Sequence, residues 1–308
     1  METPDTEAVP RYLLNKINCN QEAVRSVKYN VDGNYVLTCG ADKTVKLWNP
    51  VTAAHVNTYM GIGNEVLDVA SSSDNSQLAA GGQDKCVTVI DVESGKTVRK
   101  YRNHGAKVNV LCYNEESNIL FSGSMDTTVH AHDVRTKNEK PIQILNEATD
   151  SVLSIDVNGH DLAVGSADGH CRHYSIRDGV VHEDYLGESV TSVSFTPDGN
   201  CILATTLDNN LRLMDKQSGK MLAKYTGHQN RDYMLRSCIL SSVAQVATGS
   251  EDGHAYIYNL IDRKVLFKLP HKHSVVHTVV AHPKLQQMVS ASSNYIYVWT
   301  NQKVVQDE

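Results

Sequence analysis

Short bursts of alternating apolar and polar residues recur along the chain. Val24-Arg25-Ser26-Val27-Lys28-Tyr29 and Val190-Thr191-Ser192-Val193-Ser194-Phe195 are two of them, and a period of two marks a strand with one face buried. A turn follows, as in Val31-Asp32-Gly33-Asn34 or Thr196-Pro197-Asp198-Gly199. Asp-Gly tolerates the positive φ that tight hairpin turns demand. Next comes a small apolar segment such as Tyr35-Val36-Leu37-Thr38, Leu78-Ala79-Ala80 or Ile119-Leu120-Phe121-Ser122. An aspartate then turns the chain into a third segment, for example Thr44-Val45-Lys46-Leu47-Trp48. A fourth ends the unit, as in Thr97-Val98-Arg99-Lys100-Tyr101, Met221-Leu222-Ala223-Lys224-Tyr225 and Val265-Leu266-Phe267-Lys268-Leu269. Strands and turns account for nearly every residue, leaving no second domain and no long linker.

The unit repeats. Asp42, Asp84, Asp126, Asp168, Asp208 and Asp252 occupy the same turn at separations of 42, 42, 42, 40 and 44 residues, and Asn294 follows another 42 along. A second marker lies a few residues behind each, from Trp48-Asn49 and Ile90-Asp91 through His132-Asp133, Tyr174-Ser175, Met214-Asp215 and Tyr258-Asn259 to Trp299-Thr300. A period of this length is that of four-stranded propeller blades. One such sheet cannot bury both faces alone, whereas stacking sheets around an axis buries each against its neighbour. The expectation is an all-β, seven-bladed β-propeller over residues 11–300, with residues 1–10 a flexible N-terminus and 301–308 a polar C-terminal tail.

The seventh unit has only three evident strands, while Arg11-Tyr12-Leu13-Leu14-Asn15-Lys16-Ile17 reads as a strand without a unit. It is expected to pair as the outer strand of the last blade and so close the ring. The competing arrangement completes that blade with Gln302-Lys303-Val304-Val305 and leaves 11–17 loose.

Composition narrows the class. Hydrophobic residues make up 41% of the 308, charged residues 21%, and the mean hydropathy is −0.35; these suit a globular chain. No run of about 18 apolar residues is available to span a membrane. The stretch METPDTEAVP lacks the basic start and apolar core of a signal peptide, so an intracellular protein is expected. Seven cysteines occur without a CxxC pair. They are expected to be reduced thiols, many of them small core residues, and a zinc site is disfavoured. The net charge is −6 and no basic cluster stands out, so no direct nucleic-acid partner is expected.

Segments such as VRSVKYNVDGNYVLTCGADKTVKLWNP resemble the WD-repeat family, whose pattern combines a Gly-His dipeptide, the turn aspartate and a Trp-Asp dipeptide. The resemblance covers residues 11 to 300. DGNYVLTCGADKTVKLWNP, VESGKTVRKY, LDNNLRLMDKQSGKMLAKYTGH and EDGHAYIYNL are similar to a branch of that family made up of signalling scaffolds. It implies a non-catalytic adaptor in cytoplasm and nucleus, monomeric within larger complexes and without a cofactor. The partners it implies are kinase-cascade components, splicing factors, polarity proteins and a prolyl hydroxylase. The sequence departs from the family pattern. Gly-His occurs in full only at Gly227-His228, with Asn103-His104 a partial match, and Trp fills its position only in the first and last units. The family's buried His–Ser/Thr–Asp–Trp network is therefore complete in no unit; His228, Thr248 and Asp252 come close, as do His104, Ser122 and Asp126. Lower stability per blade is expected, offset in part by ring closure.

Candidate chemistry is sparse. The six turn aspartates recur at one turn, which points to hydrogen bonds to nearby backbone and away from acid/base work. His271, His273, His277 and His282 cluster in sequence, and His170 lies close to His173, yet their positions in a loop, a strand and a turn should keep them from converging on a metal. No GxSxG elbow and no GxxxxGK phosphate loop is present. Recognition in a propeller is carried by loops on a rigid frame. The face made by fourth-to-first and second-to-third connections would carry Glu65, His104, Lys107, Met125, Asp150, Arg231, Tyr233 and Glu251. Arg231, Tyr233 and Met125 have the character of interface anchors. His132-Asp133-Val134-Arg135 and Tyr174-Ser175-Ile176-Arg177 resemble the WDxR ending of cullin ubiquitin-ligase receptors, which would make Arg135 and Arg177 contacts to a ligase adaptor. A substrate receptor is thus an alternative to the scaffold, and a propeller enzyme a remote one.

Overall fold

The computed structural model describes residues 9–240, 245–272 and 274–303. Seven four-stranded antiparallel sheets form the blades of a β-propeller. Blade 1 comprises Val24–Tyr29, Val36–Gly40, Val45–Trp48 and His55–Tyr59. From inner to outer strand, blade 2 runs from Val66–Ser71 to Thr97–Tyr101, blade 3 from Val108–Tyr113 to Gln143–Leu145, and blade 4 from Val152–Asn158 to Val180–Tyr185. Blade 5 runs from Val190–Phe195 to Met221–Tyr225 and blade 6 from Ser237–Leu240 to Val265–Pro270. Blade 7 begins with Val276–Ala281, Gln287–Ser292 and Tyr295–Thr300, and its outer strand is Tyr12–Asn18. The inner strands of successive blades touch in cyclic order, including blade 7 against blade 1.

Why this sequence stacks is visible in its cores. Among the described residues there are seven buried apolar clusters, one at each blade–blade interface. Between blades 1 and 2, for example, Leu37, Val45 and Tyr59 meet Val66, Val69, Leu78 and Ile90. Fully burying one such side chain contributes about 1.5–3 kcal/mol. The Asp-Gly turns behave as their sequence requires, with Gly33 at φ 81° and Gly199 at φ 67°. At Gly33 a methyl group would also fall 2.3 Å from the His282 ring of blade 7, so the turn needs glycine for space as well as for φ.

The seam takes the expected form. Tyr12 pairs with Thr300, Leu13 with Trp299 and Ile17 with Ile296, with a bulge at Leu14. Ile17 packs into the interface of blades 7 and 1 beside Val24, Val27 and Trp48. Asn15 Nδ2 donates to the carbonyls of Pro50 and Val51 in blade 1, at 2.8 and 2.7 Å. Within the expected flexible N-terminus of residues 1–10, Val9 is fully buried with Leu240, Ile257, Met288 and Trp299 between blades 6 and 7; residues 1–8 lie outside the described residues. The N-terminal segment thus grips blade 7 on both faces. The alternative completion by Gln302 to Val305 is excluded by the pairing with Tyr12–Asn18; Val304, Val305 and most of the proposed tail lie outside the described residues.

Candidate functional site

In six blades the inner strand shifts register just after its leading valine, between Val24 and Ser26, Val66 and Asp68, Val108 and Val110, Val152 and Ser154, Val190 and Ser192, and Val276 and Thr278. A β-bulge leaves one residue out of the ladder and re-aims its side chain. The residues skipped are Arg25, Leu67, Asn109, Leu153, Thr191 and His277. Together with Arg236 of blade 6 they line a cavity of about 370 Å³. One fold device, repeated in six blades, therefore sends a side chain to the axis, and Arg236 supplies the seventh from blade 6.

Most of these groups reach to another blade. The Arg25 guanidinium pairs with Glu65 ahead of blade 2. Asn109 Nδ2 donates to Val152 O of blade 4 at 2.8 Å. The Thr191 hydroxyl donates to Leu235 O at 3.0 Å, and the His277 ring bonds to Val24 O of blade 1. Burial drops the His277 pKa to about 4, so the ring is neutral at physiological pH. Arg236 crosses the axis to Ser26 Oγ and Asp68 Oδ1, at 2.8 and 2.9 Å.

Asp68 stands behind this lining. Its side chain is fully buried and takes ion pairs from Arg236 and from Lys28 at 2.9 Å each. The Ser26 hydroxyl and Leu111 N–H donate to it at 2.6 and 2.9 Å. Burial alone would raise this carboxyl, but the two cations and the hydroxyl outweigh it and hold it well below the usual range. A second cavity of about 540 Å³, lined by Lys28, Tyr29, Tyr113 and Val157 among others, opens on the opposite face. Next to Val157 in sequence, Asp156 accepts from Phe195 N–H and is pushed up by burial to about 6.

The predicted loop residues divide into those that build the mouth and those that hold it. Lys107 lines the cavity. Tyr233 lines it too and is 54% exposed, as does Met234, at 52%, a residue the sequence reading omitted. Glu251 Oε1 accepts the backbone N–H groups of Arg231, Asp232 and Tyr233 at 2.7, 2.7 and 3.0 Å, which fixes the loop that carries them. Glu65 is half-buried against Arg25 and Gln83. Met125, Asp150 and Arg231 are exposed. His104 is not on the face; its ring is buried inside blade 3, because two internal hydrogen bonds hold it there. The bulge residues were missed, although the position after the first valine of each unit recurs with the repeat and was the available signal.

The turn aspartates bond to local backbone. Asp42, Asp84, Asp126, Asp168 and Asp252 each accept from the N–H two residues ahead, at 3.0–3.2 Å. Asp208 is held by Thr206 and Arg212. In blade 3, His104 Nε2 lies 2.8 Å from Ser122 Oγ and Nδ1 lies 2.9 Å from Asp126 Oδ2. That is the arrangement of a hydrolase triad, yet Ser122 is fully buried and no acyl group can reach it. In blade 6 the expected chain does not form: His228 Nδ1 meets the Tyr258 hydroxyl at 3.0 Å, while Tyr256 donates to Asp252 at 2.6 Å. Blade 1 forms the whole chain with Gln21 in the histidine place, as Trp48 donates to Thr38, Thr38 to Gln21 and Gln21 to Asp42, at 2.9, 2.6 and 3.4 Å.

Of the histidines that cluster in sequence, the described ones have structural partners. His271 is buried against Ser290 at 2.6 Å, and His282 stacks edge-on to Tyr29; His273 lies outside the described residues. Among the described residues no three His, Cys, Asp or Glu side chains are placed to hold a metal ion, and all seven cysteines are free thiols. Arg135 is exposed but folds back onto Asp133 in a two-point pair at 3.0 and 2.8 Å. Arg177 is exposed.

Residues 18–240 match the family described as the nucleolar protein 10-like N-terminal domain, a β-propeller. The chain is 42% identical to the WD repeat domain-containing protein 83 of Homo sapiens and 44% identical to that of Xenopus tropicalis, in each case over 96% of this chain and 94% of the relative. A homolog of the same protein in Dictyostelium discoideum is 34% identical over 92% of this chain and 98% of its own length.

Proposed function

Because the chain belongs to the WD repeat domain-containing protein 83 family, we propose that it is a non-catalytic scaffold that holds protein partners in kinase-cascade signalling and in pre-mRNA splicing assemblies. The observation that carries this reading is the axial mouth. It is a concave opening built by side chains from all seven blades and overhung by exposed Tyr233 and Met234. Large flexible or aromatic side chains on a rigid frame suit protein recognition. The titratable groups at the axis favour binding over turnover. His277 is neutral and bonded to backbone, and Asp68 is neutralised by two cations. Polarity proteins and a prolyl hydroxylase belong to the same set of proposed partners. The buried, free thiols fit a reducing compartment, in keeping with cytoplasm and nucleus.

Affinity purification of the full chain from cell extract, with crosslinking mass spectrometry, tests the reading. Kinase-pathway or splicing proteins crosslinked to the mouth face are expected. Stoichiometric recovery of a cullin adaptor, abolished by Arg135→Ala with Arg177→Ala, would replace the scaffold by a ligase receptor. Turnover above background in a broad hydrolase screen would replace it by an enzyme.

A further inference from the structure

We infer that the axial mouth is a peptide site selective for acidic linear segments, in which a carboxylate side chain is flanked by an apolar one. The inference rests on the scaffold reading and specifies its ligand. Three observations carry it.

The first is charge. Arg25, Lys107 and Arg236 line the cavity and no carboxylate does, although the chain as a whole has a net charge of −6. Two carboxylates stand behind the lining. Glu65 is matched by Arg25, and Asp68 is shared between Arg236 and Lys28. These two carboxylates are thus already compensated, and the lining itself carries three cations; Glu251, which braces the overhanging loop, and Asp232 on that loop stand outside the lining. A concave site lined by one sign of charge attracts and orients the opposite sign.

The second is an unmet hydrogen bond. Asn109 is 7% exposed, lines the same cavity, and uses its Nδ2 on Val152 O. Its Oδ1 is buried and has no partner. A buried acceptor without a donor is destabilising, and an extended peptide offers a backbone N–H to satisfy it.

The third is the apolar contribution. Leu67 and Leu153 occupy bulge positions in the ring, and Tyr233 and Met234 overhang it from the Glu251-braced loop. A peptide with charge alone would leave these four uncovered. Cation, acceptor and apolar wall together select a segment in which Asp or Glu adjoins Leu, Ile or Phe. The cavity, at about 370 Å³, has room for side chains and not for a folded element.

The test is selection of short random linear peptides, displayed on phage, against the full-length chain. Asp or Glu next to an aliphatic or aromatic residue should be enriched. A synthetic copy of the selected peptide should lose about tenfold or more in affinity to Lys107→Glu, as expected for one charge-assisted hydrogen bond. It should also weaken with rising salt. Lys107→Glu should melt as the parent does, since among the described residues no other group holds that ammonium. Arg25→Gln, which keeps a hydrogen bond to Glu65, is the second variant and should weaken binding in the same direction. Enrichment of basic or neutral sequences, or indifference to both variants, would overturn the acidic specificity. Peptides that bind but crosslink to the opposite face or the rim would overturn the site while leaving the scaffold reading standing. Failure to enrich any peptide also counts against the site, because the proposed ligand is a linear segment. In that event recovered cellular partners still decide the scaffold reading separately.

Discussion

Blades 1 and 4 solve one problem with different chemistry. Both place a turn aspartate between the second and third strands, and both must satisfy it with little access to water. Blade 1 uses a relay of neutral donors, Trp48 to Thr38 to Gln21 to Asp42, with the Lys46 ammonium beside the carboxylate at 3.3 Å. Blade 4 has Ala148 and Val164 where the relay would pass, both of them buried in its core. There Arg172, four residues past Asp168, takes the carboxylate directly at 2.9 Å and also donates to Ser166 at 2.8 Å. Arg212 does the same for Asp208 in blade 5. The position four residues past the turn aspartate also partners it in blade 1, through Lys46 at 3.3 Å, and in blade 6, through the Tyr256 hydroxyl at 2.6 Å; in blades 4 and 5 it does so where the family's histidine and hydroxyl are missing. The repeat constrains where the aspartate sits but leaves its partner open.

The two solutions should fail differently. A buried ion pair that loses one partner leaves an uncompensated charge, which costs about 3–5 kcal/mol. Arg172→Ala should therefore produce the largest drop in stability by urea or thermal melting, with hydrogen exchange accelerated first in residues 152–185. If Arg172→Ala costs less than Gln21→Ala, the ionic solution is not the more fragile one and the comparison breaks.

Acid supplies the next contrast. Blade 3 stacks His104 on His130 with ring centroids 3.9 Å apart. Burial lowers His130 to about 4 and His132 to about 3. These folded values lie below the unfolded value of about 6.5, so the stability at stake is complete above pH ~6.5 and is lost as pH falls toward the folded values. Moving from pH 7 to pH 5 should cost about 1–2 kcal/mol per imidazole. Hydrogen exchange should show opening of residues 108–145, while blade 1, whose relay contains no imidazole, stays protected. Equal acceleration in both blades would contradict this assignment.

Smaller effects sharpen the picture. Gln21→Ala leaves Thr38 and Asp42 each short of one hydrogen bond inside blade 1 and should cost about 1–3 kcal/mol in melting experiments. Gln21→His supplies the ring that bridges Ser122 and Asp126 in blade 3. It should stay within about 1 kcal/mol of the parent, the net worth of a typical internal hydrogen bond. A large loss from that substitution would mean that blade 1 is shaped specifically for an amide.

The lesson about legibility follows from the same elements. The seven units, their four strands and the closing role of Tyr12–Asn18 were readable because alternation and turn residues are local properties repeated many times. The loop that carries Arg231 and Tyr233 was readable for the same reason. Val9 was not, since nothing local distinguishes it from the polar residues around it; its burial depends on blades 6 and 7 arriving from the far end of the chain. His104 could be read both as a face residue, because it precedes an inner strand, and as a member of the family's buried network; its bonds to Ser122 and Asp126 decide for the second. Gln21 was invisible as a network member because the family pattern expects histidine there.

By itself, then, the sequence determined the number of blades, the strand order within each, and the residue that closes every third-strand turn, since those follow from periodicity and backbone preference. Tertiary structure alone decided which side chain partners each aspartate, how the mouth is charged, and where the N-terminal residues lock the ring. Those outcomes depend on contacts between residues far apart in the chain. The mouth depends further on a bulge that shifts one residue out of register in six of the blades, a displacement that alternation alone cannot reveal because it is set by pairing with the neighbouring strand.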